Sequence, residues 1–114
     1  MINWEEFNSF YQYFDNEVII EIVDLFLEEY EGKMETLKKS IDELYFEEIQ
    51  RNLSSIRGII RNFYDPVADA ASNRLKEMGY SETSVGITEE FEKFKIAADK
   101  LVIELQEYRK TLTT

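Results

Sequence analysis

The middle of the chain contains four residues with the spacing of one helical stripe: Ser54, Arg57, Gly58 and Arg61. They stand at positions i, i+3, i+4 and i+7, so they lie beside one another if the segment is helical and if Leu53 points inward. A glycine inside a helix costs about 1 kcal/mol relative to alanine, so it needs either a packing reason or a surface reason. We interpret Gly58 as a gap in the side-chain surface that another protein can enter.

The segment that carries this stripe is locally cationic. Residues 46 to 63 contain three arginines and two glutamates, whereas the whole chain has 13 Lys and Arg, 24 Asp and Glu, and a net charge of −11. A cationic strip on an acidic protein attracts an acidic pocket or a phosphoryl group. The stripe is therefore predicted to bind a partner. The alternative is a solvated helix face that tolerates one glycine.

Composition excludes several classes of function. The 114 residues include no histidine and no cysteine, which removes Ser-His-Asp and Cys-His catalysis and histidine- or thiolate-ligated metal sites. The negative charge argues against nucleic acid and anionic membrane surfaces as partners. The sequence shows neither a signal peptide nor an apolar run of about 20 residues. We expect a cytoplasmic protein without enzymatic activity, metal or cofactor.

Helices must position the stripe, because the chain has one proline, four glycines and no sustained alternation of apolar and polar residues. A short aromatic helix is predicted over about residues 3 to 13, and Asp15 or Asn16 is expected to cap a second, long helix. The apolar pattern then continues almost in phase to Phe63. A single helix from residue 16 to residue 63 would be roughly 72 Å long, which is too long for a compact chain of this size. A break is therefore predicted between residues 42 and 46.

The later helix boundaries have clearer signals. Asp65 and Pro66 predict the start of a fourth helix, since proline suits the first helical position and disfavours helix in the residue before it. Gly79 is expected to end this helix as a C′ glycine, residues 80 to 87 to form a loop, and Thr88 to cap the last helix.

Together these elements predict one all-α domain over residues 1–114, an antiparallel up-down four-helix bundle with the first helix covering one end. The aromatic side chains of that helix are expected to belong to the core, and the protein to be a monomer. An exposed patch used in dimerisation is the alternative. The aromatic cluster consists of Trp4, Phe7, Phe10 and Tyr11.

The order of the motifs resembles the histidine-phosphotransfer (HPt) domain family. The segment from Leu53 to Gly58 is similar to the family's Ala-His-x-Leu-Lys-Gly on its third long helix. Asn62-Phe63 follows, and the segment from Leu75 to Gly79 is similar to the Leu-Glu-x-x-Gly that closes the next helix. Phe26-Leu27-Glu28-Glu29 also resembles the family's Phe-Leu-x-x. The resemblance covers about residues 10 to 110, and it implies a receiver domain or a histidine kinase as partner.

Ser54 stands where the family has its phospho-accepting histidine. In that family an imidazole nitrogen takes a phosphoryl group from an aspartyl phosphate on a receiver domain, whereas a serine hydroxyl needs an adjacent base. Arg57 matches the family's lysine, and Gly58 matches the glycine that lets the receiver approach. The resemblance thus implies a pseudo-HPt protein that docks receivers and relays no phosphate. A helical interaction or assembly domain unrelated to receivers, and a phosphotransferase that uses Ser54, remain the alternatives.

Overall fold

Five α-helices and one short 3-10 helix form the part of the chain that the computed structural model describes, residues 1–113. The helices are α1 (Trp4–Tyr11), α2 (Asn16–Asp42), α3 (Phe46–Ile60), α4 (Pro66–Tyr80) and α5 (Ile87–Leu112), and the 3-10 helix (Arg61–Phe63) follows α3 directly. No β-strand occurs within these residues. The predicted all-α class is confirmed.

The long helices share one apolar core. Helix α2 packs against α3 and α5, and α4 packs against α3 and α5. The predicted apolar stripes supply the core: in α3, for example, Leu53, Ile56 and Ile60 are each at most 1% exposed. Because these positions recur every three or four residues, they share one face of the helix. The opposite face of α3 is left at the surface, and it carries Ser54 and Gly58.

The break between α2 and α3 falls where the length argument places it. Helix α2 ends at Asp42, and Leu44 adopts a left-handed backbone conformation with φ of 54°. The amide of Leu44 donates to the carbonyl of Ile41, and the amide of Tyr45 donates to the carbonyl of Ser40. These two hydrogen bonds define a Schellman motif, which satisfies the last carbonyls of the helix. Because leucine occupies the left-handed C′ position, the sequence contains no glycine that would indicate the end of α2.

Gly79 does not end α4, so that prediction is wrong. The helix continues to Tyr80, and the left-handed residue after it is Glu82, whose φ is 52°. Gly79 is instead buried, and a Cβ atom built on it would lie 3.4 Å from Cγ of Gln50 and 3.6 Å from Cγ2 of Ile49. These are ordinary van der Waals distances, so α3 and α4 lie in direct contact at Gly79 without requiring a glycine there. The side-chain amide of Gln50 uses this proximity and donates to the carbonyl of Gly79 at 3.0 Å.

The N-termini of α4 and α5 differ in how well the sequence predicts them. Helix α4 begins at Pro66 as expected, and Asp65 caps it, since its Oδ1 accepts hydrogen bonds from the amides of Val67 and Ala68. Helix α5, in contrast, begins at Ile87 after Gly86, whose φ is 81°, and Thr88 lies inside the first turn. The predicted Thr88 cap is wrong because the buried Ile87 anchors the start of the helix in the core.

Helix α1 is shorter than expected, and its aromatic side chains divide between core and surface. Phe7 and Tyr11 are buried, and Phe7 lies against Tyr108 of α5 with ring centroids 5.2 Å apart. Trp4 is half-buried against the same tyrosine. Phe10, however, is 52% exposed, so the prediction of a core position is wrong for this residue. A single helix of eight residues cannot turn all of its aromatic side chains inward.

Stability is expected to fall above pH 10 because of Tyr30, which links α2 to α5. Its hydroxyl donates to Oδ1 of Asp99 at 2.6 Å, and burial, followed by the neighbouring carboxylate, raises the pKa of Tyr30. A tyrosine whose pKa is raised on folding contributes its full stabilisation below the pKa of the unfolded state, about 10, and this stabilisation is lost as the pH rises above that value. Each such tyrosine lowers the free energy of unfolding by about 1.4 kcal/mol per pH unit.

Urea unfolding between pH 8 and pH 11.5 measures this effect. Tyr30→Phe removes the titrating hydroxyl and is expected to flatten the decline, whereas Tyr13→Phe, at a site that is 89% exposed, serves as the control. Burial also raises the pKa of Tyr11 and of Tyr108, so a residual slope is expected in Tyr30→Phe. An unchanged slope in Tyr30→Phe would contradict the assignment.

Candidate functional site

All four residues of the predicted stripe line one groove between α3 and α4, with a volume of about 350 Å³. We call this feature the α3–α4 groove. Its lining consists of Gln50, Leu53, Ser54, Arg57, Gly58 and Arg61 from α3 and the 3-10 helix, and of Lys76 and Tyr80 from α4. The tertiary structure thus joins the predicted stripe to a second helix that the sequence analysis did not include.

Gly58 has no packing reason to be glycine. It is exposed, and a Cβ atom built on it would meet nothing within 4 Å. Because glycine weakens a helix by about 1 kcal/mol relative to alanine, the residue lowers stability without improving the contacts inside the molecule. Two explanations remain, namely close approach of another molecule and a solvated helix face that tolerates glycine, as at Gly32 in α2. Ser54, one turn before Gly58, is also exposed.

Arg57 does not point outward as the stripe predicted. Its side chain is only 14% exposed, and its Nη2 lies 3.6 Å from Oδ1 of Asp69 on α4. Nε of Arg57 is buried and has no hydrogen-bond partner within the described residues. Helical spacing sets the direction of the Cα–Cβ bond, but a long side chain bends toward the nearest carboxylate. The stripe therefore has one covered cation at its centre.

Arg61 shares the same carboxylate as Arg57. Its Nε lies 4.0 Å from Oδ1 of Asp69, while its side chain is 67% exposed. Oδ1 of Asp69 is buried, yet it has no hydrogen-bond partner in the described part of the chain. Two guanidinium groups thus face one carboxylate oxygen at distances too long for hydrogen bonds. Such partly exposed ion pairs contribute about 0–1 kcal/mol each to stability. Asp69 therefore attracts both arginines without forming hydrogen bonds to their N–H groups.

Helix α4 contributes two groove residues that the sequence analysis missed. Lys76 and Tyr80 are exposed, and Nζ of Lys76 lies 5.9 Å from the centre of the Tyr80 ring. Their spacing of i and i+4 places them on one face of the helix, and Asp69 lies seven residues before Lys76 on nearly the same face. This spacing is a signal in the sequence. It could not be connected to Ser54 without knowing that α3 and α4 are neighbours.

The groove is cationic and contains no candidate base for Ser54. Arginine and lysine side chains supply its charge, and no carboxylate is among the described residues that line it. A smaller depression of about 260 Å³ adjoins it through Arg61 and contains Asp65 and Asp69 instead. The two depressions therefore differ in charge, and Ser54 belongs to the cationic one.

The described chain contains few other features that suggest chemistry. Within residues 1–113, no group of three or more acidic side chains is placed to hold a metal ion. None of the helices in that range has the length and apolar character needed to cross a membrane. Comparison with protein-family models, curated proteins and solved structures finds no match for the chain. The HPt resemblance therefore rests on the residues quoted above.

Proposed function

We propose that the chain is a pseudo-HPt protein, which binds receiver domains of two-component systems through the α3–α4 groove and does not relay phosphate. The observation that carries this proposal is Gly58, an exposed helical glycine with empty space around it, one turn from Ser54. The resemblance implies a receiver domain or a histidine kinase as partner, and a receiver of this kind carries an anionic phosphoryl group on an aspartate. The cations of the groove complement that charge.

The arrangement of the helices supports the bundle that this family resemblance implies. The packing order runs from α2 to α3, α4 and α5, and α5 returns to α2. Asp24 of α2 pairs with Arg109 of α5, and Tyr30 of α2 bonds to Asp99 of α5. Residue numbers that rise along α2 therefore meet numbers that fall along α5, which supports an antiparallel up-down topology.

The lining of the groove supports binding without phosphotransfer. A serine hydroxyl becomes a nucleophile when an adjacent base removes its proton. The described residues that line the groove with Ser54 include no carboxylate, and the chain contains no histidine. A phosphoryl group that reaches the groove thus meets donors and cations but no activated acceptor.

Calorimetry with purified receiver domains from the same organism tests the proposal. At least one receiver is expected to bind the full chain with 1:1 stoichiometry, and addition of 0.5 M salt is expected to weaken the complex because the groove is charged. If none of the receivers binds at low salt, the proposal is wrong.

Ser54→His supplies the nucleophile that the wild-type groove lacks. We expect this variant to take labelled phosphate from a phosphorylated receiver that binds the wild type, and we expect the wild type and Ser54→Ala to remain unlabelled. The physical reason is that a neutral imidazole is nucleophilic near pH 7 without a second base. Labelling of the wild type that disappears in Ser54→Ala would instead identify an active phosphotransferase.

A second candidate function is an interaction domain that does not use the groove. Phe10 is 52% exposed, and its ring lies 5.6 Å from Phe14 and 5.7 Å from Tyr64, so aromatic surface is available beside α1. In this case, alanine at Arg57 and Arg61 is expected to leave partner binding unchanged, whereas Phe10→Ala weakens it. The opposite result supports receiver docking.

A further inference from the structure

We infer that the α3–α4 groove recognises the phosphorylated form of its receiver by binding the phosphoryl group directly. This inference rests on the proposed docking and adds that the protein senses the state of its partner. No covalent step is involved, because the phosphoryl group stays on the aspartate of the receiver. The consequence is a protein that retains activated receivers in preference to resting ones.

Unsaturated hydrogen-bond donors in the groove are the first observation behind this inference. Arg57 and Arg61 lie 3.6 and 4.0 Å from a single oxygen of Asp69, and neither contact is a hydrogen bond. Nε of Arg57 also has no partner within the described residues, but this atom is buried, so the donors open to a ligand are those of Arg61, whose side chain is 67% exposed. Guanidinium groups form their strongest contacts with two-oxygen acceptors such as carboxylate and phosphate. An arriving phosphoryl group offers the acceptors that Asp69 does not.

The distribution of charge is the second observation. Lys76 extends the cationic surface onto α4, where its Nζ lies 5.9 Å from the centre of the Tyr80 ring. Phosphorylation adds a charge of about −1.5 to −2. The groove thus gains attraction specifically when the partner is phosphorylated, since the rest of this acidic chain repels an anion.

The small side chain at position 54 is the third observation. Ser54 is exposed beside the open space at Gly58, and the groove that contains both has a volume of about 350 Å³. A serine side chain occupies less of this space than an imidazole ring, so a phosphoryl group can approach the surrounding cations. The hydroxyl of Ser54 can donate one further hydrogen bond to a phosphoryl oxygen.

Calorimetry with a receiver that binds tests this inference directly. The same receiver is titrated with the full chain, once as purified and once loaded with Mg²⁺ and beryllofluoride, which mimics the aspartyl phosphate. We expect the loaded form to bind at least 10-fold more tightly. The preference is expected to fall as salt rises from 0.05 to 0.5 M, because it is electrostatic.

Two lysine substitutions determine whether the groove causes the preference. Lys76→Gln removes one groove cation and is expected to lower the affinity ratio of loaded to unloaded receiver by at least 3-fold. Lys100→Gln, the same substitution at an exposed position of α5 outside the groove, is expected to keep the wild-type ratio. A matching loss in Lys100→Gln would show a non-specific charge effect and overturn the inference.

The remaining outcomes separate this inference from the proposed function. Equal binding of loaded and unloaded receiver overturns the inference and leaves receiver docking intact. A preference that Lys76→Gln and Arg61→Gln both leave unchanged also overturns it, because the preference then comes from a change of shape in the receiver. Absence of binding to either form overturns both.

Discussion

Gly58→Leu is expected to weaken receiver binding by about 100-fold or more while the protein stays folded. A Cβ atom at this position meets nothing within 4 Å inside the molecule, so the leucine side chain would project into the space that the proposed receiver occupies. A 100-fold loss corresponds to about 2.7 kcal/mol, which is the size of effect found at the centre of protein interfaces. Isothermal calorimetry with the bound receiver measures the loss.

Unfolding of the same variant shows whether the loss of binding has a structural cause. Leucine favours helix more than glycine does, so the free energy of unfolding in urea is expected to rise by up to about 1 kcal/mol. Gly32→Leu in α2 is the matched control for stability, because that glycine is also exposed, with nothing within 4 Å of a built Cβ.

Lys100→Leu on α5 is the matched control for binding, since it places the same side chain at an exposed site outside the groove. Docking at Gly58 is contradicted if Gly58→Leu is more stable than the wild type and still binds the receiver with full affinity.

Phe63→Ala is expected to lower the free energy of unfolding by about 3–5 kcal/mol. Phe63 is completely buried in the 3-10 helix, and its ring lies edge to face against Phe26 of α2 at a centroid distance of 5.1 Å. The substitution removes the buried apolar surface of the Phe63 ring and its contact with Phe26, and it leaves a cavity in the core. Urea unfolding followed by circular dichroism measures the change.

Phe10→Ala is the matched control for Phe63→Ala. The Phe10 side chain is 52% exposed, so its removal is expected to lower the free energy of unfolding by less than about 1 kcal/mol. Equal losses in the two variants would mean that Phe10 carries as much core packing as Phe63, in conflict with the structure.

Regular apolar spacing made the helices predictable, because the apolar stripe of a helix depends only on the residues of that helix. The spacing of Leu53, Ile56 and Ile60 is enough to identify the inner face of α3, and these three residues are buried. The ends of the helices were less predictable. Both α2 and α4 end in Schellman motifs with non-glycine residues, Leu44 and Glu82, in the left-handed conformation. Packing of the neighbouring helices selects those ends, so no local residue preference marks them.

The candidate site was likewise predictable from the sequence only in part. Ser54 and Gly58 lie at the surface as their spacing predicted, since Cβ direction follows from the helix alone. The orientation of Arg57 was not predictable, because it depends on Asp69, a residue of another helix. Lys76 and Tyr80 had a recognisable spacing, but their connection to the stripe depends on the contact between α3 and α4.

The sequence by itself determined the helical class, the absence of histidine and the outward positions of Ser54 and Gly58, because these follow from residue identity and helical periodicity. Only the tertiary structure decided that α4 completes the groove, that Gly79 is buried against α3, and that Asp69 pairs with Arg57. The physical reason is that residue spacing sets the face of a helix on which a side chain lies. The partner of that face is set by the packing of the whole core.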